Sequence, residues 1–225
     1  MISKKSLFFF SLIFFLFFIY FSYLVAKETF VQFDFDTTVK LQDRIPRKLD
    51  LPFSSFSVLG SAEVTSLIWL AFTILILVKR YWLTLLSLPL FFLSVLIEIY
   101  GKLFVLHPGP PHLFYRGVID FDFPSHYVHT AYSYPSGHMT RTAFLISFLM
   151  AWILLKVSFT KGLIIQIALA IMMVIMAISR VYLGEHWTTD VIGGLLLGSS
   201  FGILSAITIP FKKGKILRDE PLTNN

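Results

Sequence analysis

The segment 179–190 combines a histidine, a carboxylate and an arginine at spacings that suit phosphoryl transfer. His186 and Asp190 are four residues apart, so on a helix their side chains share one face. A carboxylate placed there can accept the imidazole N–H and leave the other ring nitrogen free as a nucleophile. Arg180 precedes them across a turn at Gly184 and offers a planar guanidinium to phosphate oxygens. The alternative is a capped helix start beside an arginine that extends toward a membrane interface.

A second segment, Tyr-Pro-Ser-Gly-His at 134–138, predicts an anion-binding turn at the start of a helix. Pro135 and Gly137 favour a tight turn, and the first backbone N–H groups of the following helix are unpaired and can face an anion. Ser136 adds a hydroxyl donor, and His138, in the first turn, can act as a general acid. The alternative is an ordinary serine N-cap followed by a surface histidine.

The composition indicates that these residues are positioned by membrane-spanning helices. Of the 225 residues, 56% are hydrophobic and only 14% are charged, with a mean hydropathy of +0.77, which is too little charge for the surface of a soluble domain. Cysteine is absent, which excludes disulfides, thiolate metal sites and a cysteine nucleophile. The net charge of +6 lies mostly in short clusters between apolar runs, a pattern typical of membrane topology rather than of nucleic-acid binding.

Six segments are long and apolar enough to span a bilayer, which takes about 20 residues. They lie at 6–26, 62–78, 81–106, 137–158, 161–184 and 187–211. The sequence therefore predicts an all-α integral membrane bundle of six transmembrane helices that forms one domain over 1–225. The first segment follows Lys4 and Lys5 and could be a signal peptide, but its apolar run is longer than a signal core, so we interpret it as a retained anchor.

The basic residues in short loops predict that both termini are cytoplasmic. The residues assigned to that side are Lys4, Lys5, Lys79, Arg80, Lys156, Lys161, Lys212, Lys213, Lys215 and Arg218. On the other side, the 107–134 loop has only Arg116, although 27–61 carries five basic residues. The mixture of charged and apolar residues in 27–61 predicts an outer interfacial segment that covers the site.

In this topology four helix ends bring ionisable side chains to the outer level of the membrane. Lys102, His138, Arg180 and His186 all fall there, as do the remaining histidines 107, 112, 126 and 129. Ionisable residues at membrane depth are costly and usually functional. We therefore expect a catalytic core over 98–200 with an active site that faces outward, in a plasma membrane of the bacterial type.

The two segments resemble the motifs of the type 2 phosphatidic acid phosphatase (PAP2) superfamily, which includes bacterial acid phosphatases and vanadium haloperoxidases. The family motif Pro-Ser-Gly-His is complete at 135–138, and Ser-Arg-x5-His-x3-Asp is complete at 179–190. The resemblance implies that His186 attacks phosphorus, Asp190 orients it and His138 protonates the leaving oxygen. It also implies the phosphate-binding groups, which are Lys102, Arg180, Ser136 and the Gly137 amide. No metal or other cofactor is implied.

The remaining family motif, Lys-x6-Arg-Pro, is incomplete. Lys102 and Pro110 match, but Gly109 stands where the family has arginine. Arg141, one turn after His138, is the substitute that we expect to bind substrate, and Arg116 is the alternative. Arg141 could instead extend toward the headgroups. Lys102 could equally form a structural ion pair with Glu98, four residues earlier.

These observations predict a metal-independent phosphatase that acts through a phosphohistidine on a lipid phosphate. Undecaprenyl diphosphate, phosphatidate and phosphatidylglycerol phosphate all remain open as substrates. The alternatives are a lipid phosphotransferase with the same intermediate and a non-catalytic binder that has lost its arginine. A zinc site at His126 and His129, three residues apart, is disfavoured because loop histidines are more often solvated. The oligomeric state is not predicted.

Overall fold

The structure, a computed structural model, describes residues 2–78, 87–119, 124, 130, 132–157 and 159–209. These residues form helices and turns, with no strand among them, which confirms the all-α prediction. The helices are α1 (Lys4–Ala26), α2 (Val31–Arg44), α3 (Asp50–Ser57), α4 (Ala62–Val78), α5 (Leu88–Phe104), α6 (Gly137–Lys156), α7 (Phe159–Tyr182) and α8 (Thr188–Thr208).

Four of the six expected spans are helices long and apolar enough to cross a membrane, namely α1, α6, α7 and α8. A fifth candidate is a broken span in which Arg47–Gly60 and Ala62–Leu75 meet at an angle of 45°. The expected spans at 62–78 and 81–106 correspond to α4 and α5, each 17 residues long in the described ranges. Residues 79–86, including Lys79 and Arg80, lie outside those ranges, so the count of six remains a prediction.

Helices α6 and α8 form the most extensive helix pair and the centre of the bundle. A Cβ added at Gly194, Gly198 or Gly202 would lie 2.6, 2.1 or 2.3 Å from backbone oxygens of α6 or its N-cap. The two backbones are therefore in direct contact, as small residues allow between membrane helices. This contact fixes the N-terminus of α6 against the N-terminus of α8.

Helix α1 lies antiparallel along α8. Near the C-terminus of α8, Lys4 Nζ donates to the carbonyl oxygens of Ile207 and Ile209 at 2.7 and 3.1 Å. Near the middle, Ser11 and Ser200 each donate a hydroxyl hydrogen bond to the other's carbonyl at 2.8 Å. The start of α1 is thus at the opposite end of the bundle from the start of α8. The compartment that each end faces remains a prediction.

The 27–61 segment covers the ends of α7 and α8, at the level where the sequence predicts the site. The hydroxyl oxygens of Thr37 in α2 and Thr188 in α8 are 2.6 Å apart. Gln42 Nε2 donates to the carbonyl oxygens of Phe114 and Tyr182 at 2.7 and 2.8 Å. Apolar side chains on the outer side of this segment are exposed, among them Val31, Phe33, Phe35 and Leu51. Its predicted place at the membrane interface is consistent with that distribution.

Candidate active site

The two motif segments meet through their backbones. Ser136 is the N-cap of α6, and its hydroxyl oxygen accepts from Met139 N–H at 3.4 Å. Its own N–H donates to the carbonyl oxygen of Asp190 at 2.9 Å. The turn before His186 depends on Gly184, which has φ +68° and a Cβ position only 2.2 Å from the carbonyl oxygen of Phe114. A side chain at 184 would be strained and would clash, so this glycine sets the path from α7 to α8.

A serine bridges the histidine and the aspartate that the sequence paired. Ser133 Oγ lies 2.9 Å from His186 Nδ1 and 2.5 Å from Asp190 Oδ2. The direct distance from His186 Nδ1 to Asp190 Oδ2 is 3.4 Å. Asp190 Oδ2 also accepts from Trp187 N–H at 2.9 Å, so the carboxylate caps the start of α8.

These contacts assign the proton on His186. A serine hydroxyl has one proton, and a carboxylate can only accept, so Ser133 donates to Asp190. Ser133 Oγ must then accept from His186 Nδ1–H, which leaves the lone pair on Nε2. Asp190 is fully buried, whereas the His186 side chain keeps 13% of its surface exposed. The geometry therefore orients the imidazole and leaves its side chain partly exposed.

His138 lies in the first turn of α6 among the basic side chains of the site. The groups close enough to act on its charge are Arg180, Arg141, His186 and Lys102. The turn between α3 and α4 closes over it, since a Cβ on Gly60 would lie 3.2 Å from His138 Cδ2. His138 therefore belongs to the same charged cluster as His186 and three basic side chains, which is where the expected general acid would act.

Glu98 joins two of the expected phosphate ligands. Lys102 Nζ is 3.2 Å from Glu98 Oε1, and Arg141 Nη1 is 3.0 Å from Glu98 Oε2. The ion pair that the sequence offered as an alternative for Lys102 is therefore present, and Arg141 shares it. A Cβ on Gly137 would lie 2.2 Å from Glu98 Oε1, so this cluster is in direct contact with the start of α6.

Arg180 is fully buried and forms a two-point ion pair with Glu185. One bond joins Nη1 to Oε2, and the other joins Nη2 to Oε1 at 3.1 Å. The Nε–H groups of Arg180 and Arg141 are buried and have no hydrogen-bond acceptor among the described residues. Each guanidinium thus still has a donor to offer to an anion.

Arg116, the alternative substitute, has partners of its own. Its Nη1 donates to the Gln42 carbonyl oxygen at 3.1 Å, and its guanidinium stacks 5.2 Å from the centre of the Tyr182 ring. Gly109 lies beside Ser133, and a Cβ added to Gly109 would be 3.5 Å from Ser133 Cβ. That is ordinary van der Waals contact, so a Cβ at 109 would meet no clash.

Four polar residues of this site were missed at the level of sequence. Ser133 stands three residues before Ser136, and that proximity was its only signal. The sequence marks His107 only as one of the histidines on the outer side, and Thr189 occupies a variable position within a motif. Asp34 is 155 positions before Thr189, to which it bonds, and no local pattern marks it. Burial raises the pKa of the Asp34 carboxyl, although two hydrogen bonds from Thr189 oppose that effect.

No group of three or more histidine, aspartate or glutamate side chains suited to a metal occurs in the ranges that the structure describes. His126 and His129 fall outside those ranges, so the zinc alternative stays untested. The basic side chains described above are the groups available to hold an anion.

Comparisons with known proteins agree with the resemblance. A sequence model of the PAP2 superfamily matches residues 80–213. An undecaprenyl-diphosphatase of Sulfolobus acidocaldarius is 42% identical over 87 residues, which are 37% of this chain and 38% of that protein. The match therefore spans well under half of that relative. The crystal structure of a transmembrane PAP2-type phosphatidylglycerolphosphate phosphatase from Bacillus subtilis has a TM-score of 0.67 at 24% identity. The similarity covers 87% of this chain and 93% of that one, and it shows a shared fold.

Proposed function

The chain belongs to the PAP2 superfamily, and on that premise we propose that it is an integral membrane phosphatase that hydrolyses a lipid phosphate or diphosphate through a phosphohistidine. The observation that carries the proposal is the His186–Ser133–Asp190 arrangement, which directs the lone pair of Nε2 away from its hydrogen-bonded partners. A protein that only binds lipid phosphate has no need of such an oriented nucleophile.

The reaction has two steps in this proposal. His186 Nε2 attacks phosphorus while the bond to the lipid oxygen breaks, and His138 gives that oxygen a proton. Water then attacks the phosphohistidine and gives a proton to His138, the N–P bond breaks, and inorganic phosphate leaves. Asp190 stays ionised throughout and stabilises the positive charge that develops on the His186 ring.

Three cations neutralise the phosphoryl group as charge develops on its oxygens. They are Lys102, Arg141 and Arg180, with Ser136 and the Gly137 amide as neutral donors. In the structure Glu98 and Glu185 hold these cations, so a bound phosphate would take over contacts that the two carboxylates now make. The free Nε–H of each arginine supports this assignment, because a buried unpaired donor is costly without a ligand.

Arg141 is, in this proposal, the substitute for the missing arginine at Gly109. It contacts the same carboxylate as Lys102, whereas Arg116 is engaged by Gln42 and Tyr182. The substrate is a lipid whose phosphate reaches the outer end of the bundle while its chain stays in the bilayer. Undecaprenyl diphosphate and phosphatidylglycerol phosphate, the substrates in the names of the two similar proteins, are the first to test, with phosphatidate as a third.

Phosphate release by the purified protein from these three lipids tests the activity. In parallel, the intermediate is trapped with radiolabelled substrate, and the labelled peptide is mapped. We expect a label that survives alkali, is lost in mild acid and lies on His186. The variant His186→Asn should lose both label and turnover, whereas His112→Asn, at an exposed histidine, should keep both. A label on another residue would contradict the mechanism, and no release from any lipid would favour the non-catalytic binder.

Metal independence is part of the proposal because basic side chains are available to neutralise the phosphate. Activity should therefore persist in excess EDTA. Vanadate should inhibit, since a five-coordinate vanadate on His186 would imitate the transition state. Loss of activity in EDTA with rescue by zinc would instead assign a role to a metal site outside the described residues.

A further inference from the structure

A second histidine and aspartate lie directly behind the Asp190 carboxylate. His107 Nε2 is 3.6 Å from Asp190 Oδ1 and 3.6 Å from Asp34 Oδ2. The same nitrogen is 3.2 Å from the hydroxyl oxygen of Thr189. Asp34 and Thr189 are at most 1% exposed, and His107 is 6% exposed. Three separate parts of the chain, α2, the segment after α5 and the start of α8, thus bury a polar cluster at this point.

The hydrogen bonds of Thr189 assign the proton on His107. Asp34 accepts from the Thr189 N–H at 2.8 Å and from the Thr189 hydroxyl at 2.6 Å. The single hydroxyl proton of Thr189 is therefore committed to Asp34. Its oxygen can then only accept from His107, which places a proton on Nε2, the nitrogen that also faces Asp190.

The two oxygens of Asp190 have different surroundings. Oδ2 accepts from Ser133 and from the Trp187 N–H. Oδ1 is buried and has no hydrogen-bond partner among the described residues, and the N–H of His107 faces it from slightly beyond hydrogen-bond distance. A buried carboxylate is costly unless donors or charges compensate it. His107 is the group placed to compensate this oxygen.

We propose that His107 is a positioning residue that keeps Asp190 ionised and oriented toward Ser133 and His186, with Asp34 and Thr189 holding His107 in place. This inference rests on the proposed function, because Asp190 matters through the nucleophile. Removing the His107 N–H would favour the protonated carboxyl of Asp190. A protonated Asp190 no longer supports the Nδ1–H of His186, so Nε2 loses nucleophilicity.

The pH dependence of His186 reports this effect. Within the described residues, the titratable groups near enough to affect the charge of Asp190 are His107 from the segment after α5, Asp34 from α2, Tyr134 from the segment before α6, and His186. Among them, only His107 presents a donor to Oδ1. Its loss should therefore move the acid limb of the pH profile to higher pH, because Asp190 then accepts a proton at higher pH.

The test compares His107→Phe, which keeps a ring without an N–H, with His107→Gln, which retains one. His107→Phe should lower kcat about 10- to 100-fold with little change in KM, as loss of a group that orients a ligand or base does. The acid limb of the pH profile of kcat/KM for undecaprenyl diphosphate should move to higher pH. His107→Gln should recover part of the lost kcat and part of the shift of the acid limb. The exposed His112→Phe serves as the matched control and should match the parent.

A second pair keeps the test decisive if His107→Phe does not fold. Thr189→Val removes the hydroxyl at nearly constant shape and should move the acid limb in the same direction, whereas Thr189→Ser should behave like the parent. The rate at which diethyl pyrocarbonate modifies His186, mapped by mass spectrometry across pH, gives a readout that needs no turnover. A parent without phosphatase activity would defeat the proposed function alone. An unshifted His186 profile in His107→Phe and Thr189→Val overturns the inference, whether or not the parent is active.

Discussion

The nucleophile side and the cation side of this site are built in different ways. On the nucleophile side, which comprises Ser133, His186 and Asp190, short side chains bond to each other, and Asp190 also accepts from the backbone N–H of Trp187. On the cation side, Lys102 and Arg141 are long side chains that converge on one glutamate, Glu98. In the proposed function, the first arrangement is preformed, and the second consists of ion pairs that a bound phosphate would replace.

In the proposed function, this difference separates the orientation of the nucleophile from the neutralisation of the phosphate charge. A nucleophile is useful only within a few tenths of an ångström of its attack position, so a rigid hydrogen-bonded support is appropriate. Cations that bind a highly charged group need counterions when that group is absent, because a buried unpaired charge is costly. Substitutions on the nucleophile side should therefore act on kcat, and substitutions of the glutamates should act mainly on KM.

The largest effect is expected for Asp190→Asn. An asparagine would keep its oxygen toward Ser133 and the Trp187 N–H, which both donate to the Oδ2 position, but it would lose the negative charge that stabilises the positively charged His186 ring. We expect a strong fall in kcat, up to about the 10⁴-fold of the equivalent change in a serine protease triad. Phosphate release measures this, with folding followed by size-exclusion chromatography in detergent. A well-folded variant that retains a tenth of parental kcat would show that the nucleophile side is not fixed in this way.

The next largest effect is expected for Arg141→Ala. Removal of a key electrostatic donor costs about 2–4 kcal/mol of transition-state stabilisation, or about 30- to 1000-fold in kcat/KM. Gly109→Arg should partly rescue this variant, since a Cβ at 109 would be in ordinary contact with Ser133 and would not clash, and it should add little to the parent. Arg116→Ala is the control and should retain most activity. Near-parental kcat/KM in Arg141→Ala would show that Arg141 does not stabilise the phosphoryl group.

A smaller effect is expected for Ser133→Ala. The direct distance from His186 to Asp190 is 3.4 Å, so a small movement can replace the bridged contact with a direct hydrogen bond. The net loss is then about one hydrogen bond, roughly 1–1.5 kcal/mol or about 10-fold in kcat. Steady-state kinetics should show this loss in kcat with an unchanged KM. A loss as large as that of Asp190→Asn would show that the bridge is indispensable.

The smallest kinetic effect is expected for Glu98→Gln, and it should appear in KM. Without the carboxylate, Lys102 and Arg141 no longer have a competitor to the phosphate, so KM and the inhibition constant of vanadate should fall about threefold, or about 0.6 kcal/mol. The substrate-free protein should also unfold at a lower temperature, because buried Arg141 loses its counterion. A rise in KM would instead make Glu98 a support for the cations rather than a stand-in for phosphate.

The sequence determined the class of protein and the chemistry of the local motifs. Long apolar runs predicted the spanning helices α1, α6, α7 and α8. The spacing of four predicted that His186 and Asp190 lie close together, although His186 lies in the bend before α8 and not on the helix. These features depend only on the solvent and on residues within one turn of each other, so a linear pattern is sufficient. The glycine at 109 was also visible, and the sequence named Arg141 and Arg116 as candidates to replace the arginine.

The tertiary structure decided which distant side chains support the nucleophile. Ser133, His107 and Asp34 reach Asp190 or its neighbour Thr189 from three other segments, and Glu98 joins two cations from different helices. Nothing in their own neighbourhoods distinguishes them from ordinary polar residues. Their contacts follow from helix packing, above all from the backbone contact of α6 with α8 at Gly194 and Gly198. Such contacts depend on how whole helices approach each other, and local spacing carries no information about that approach.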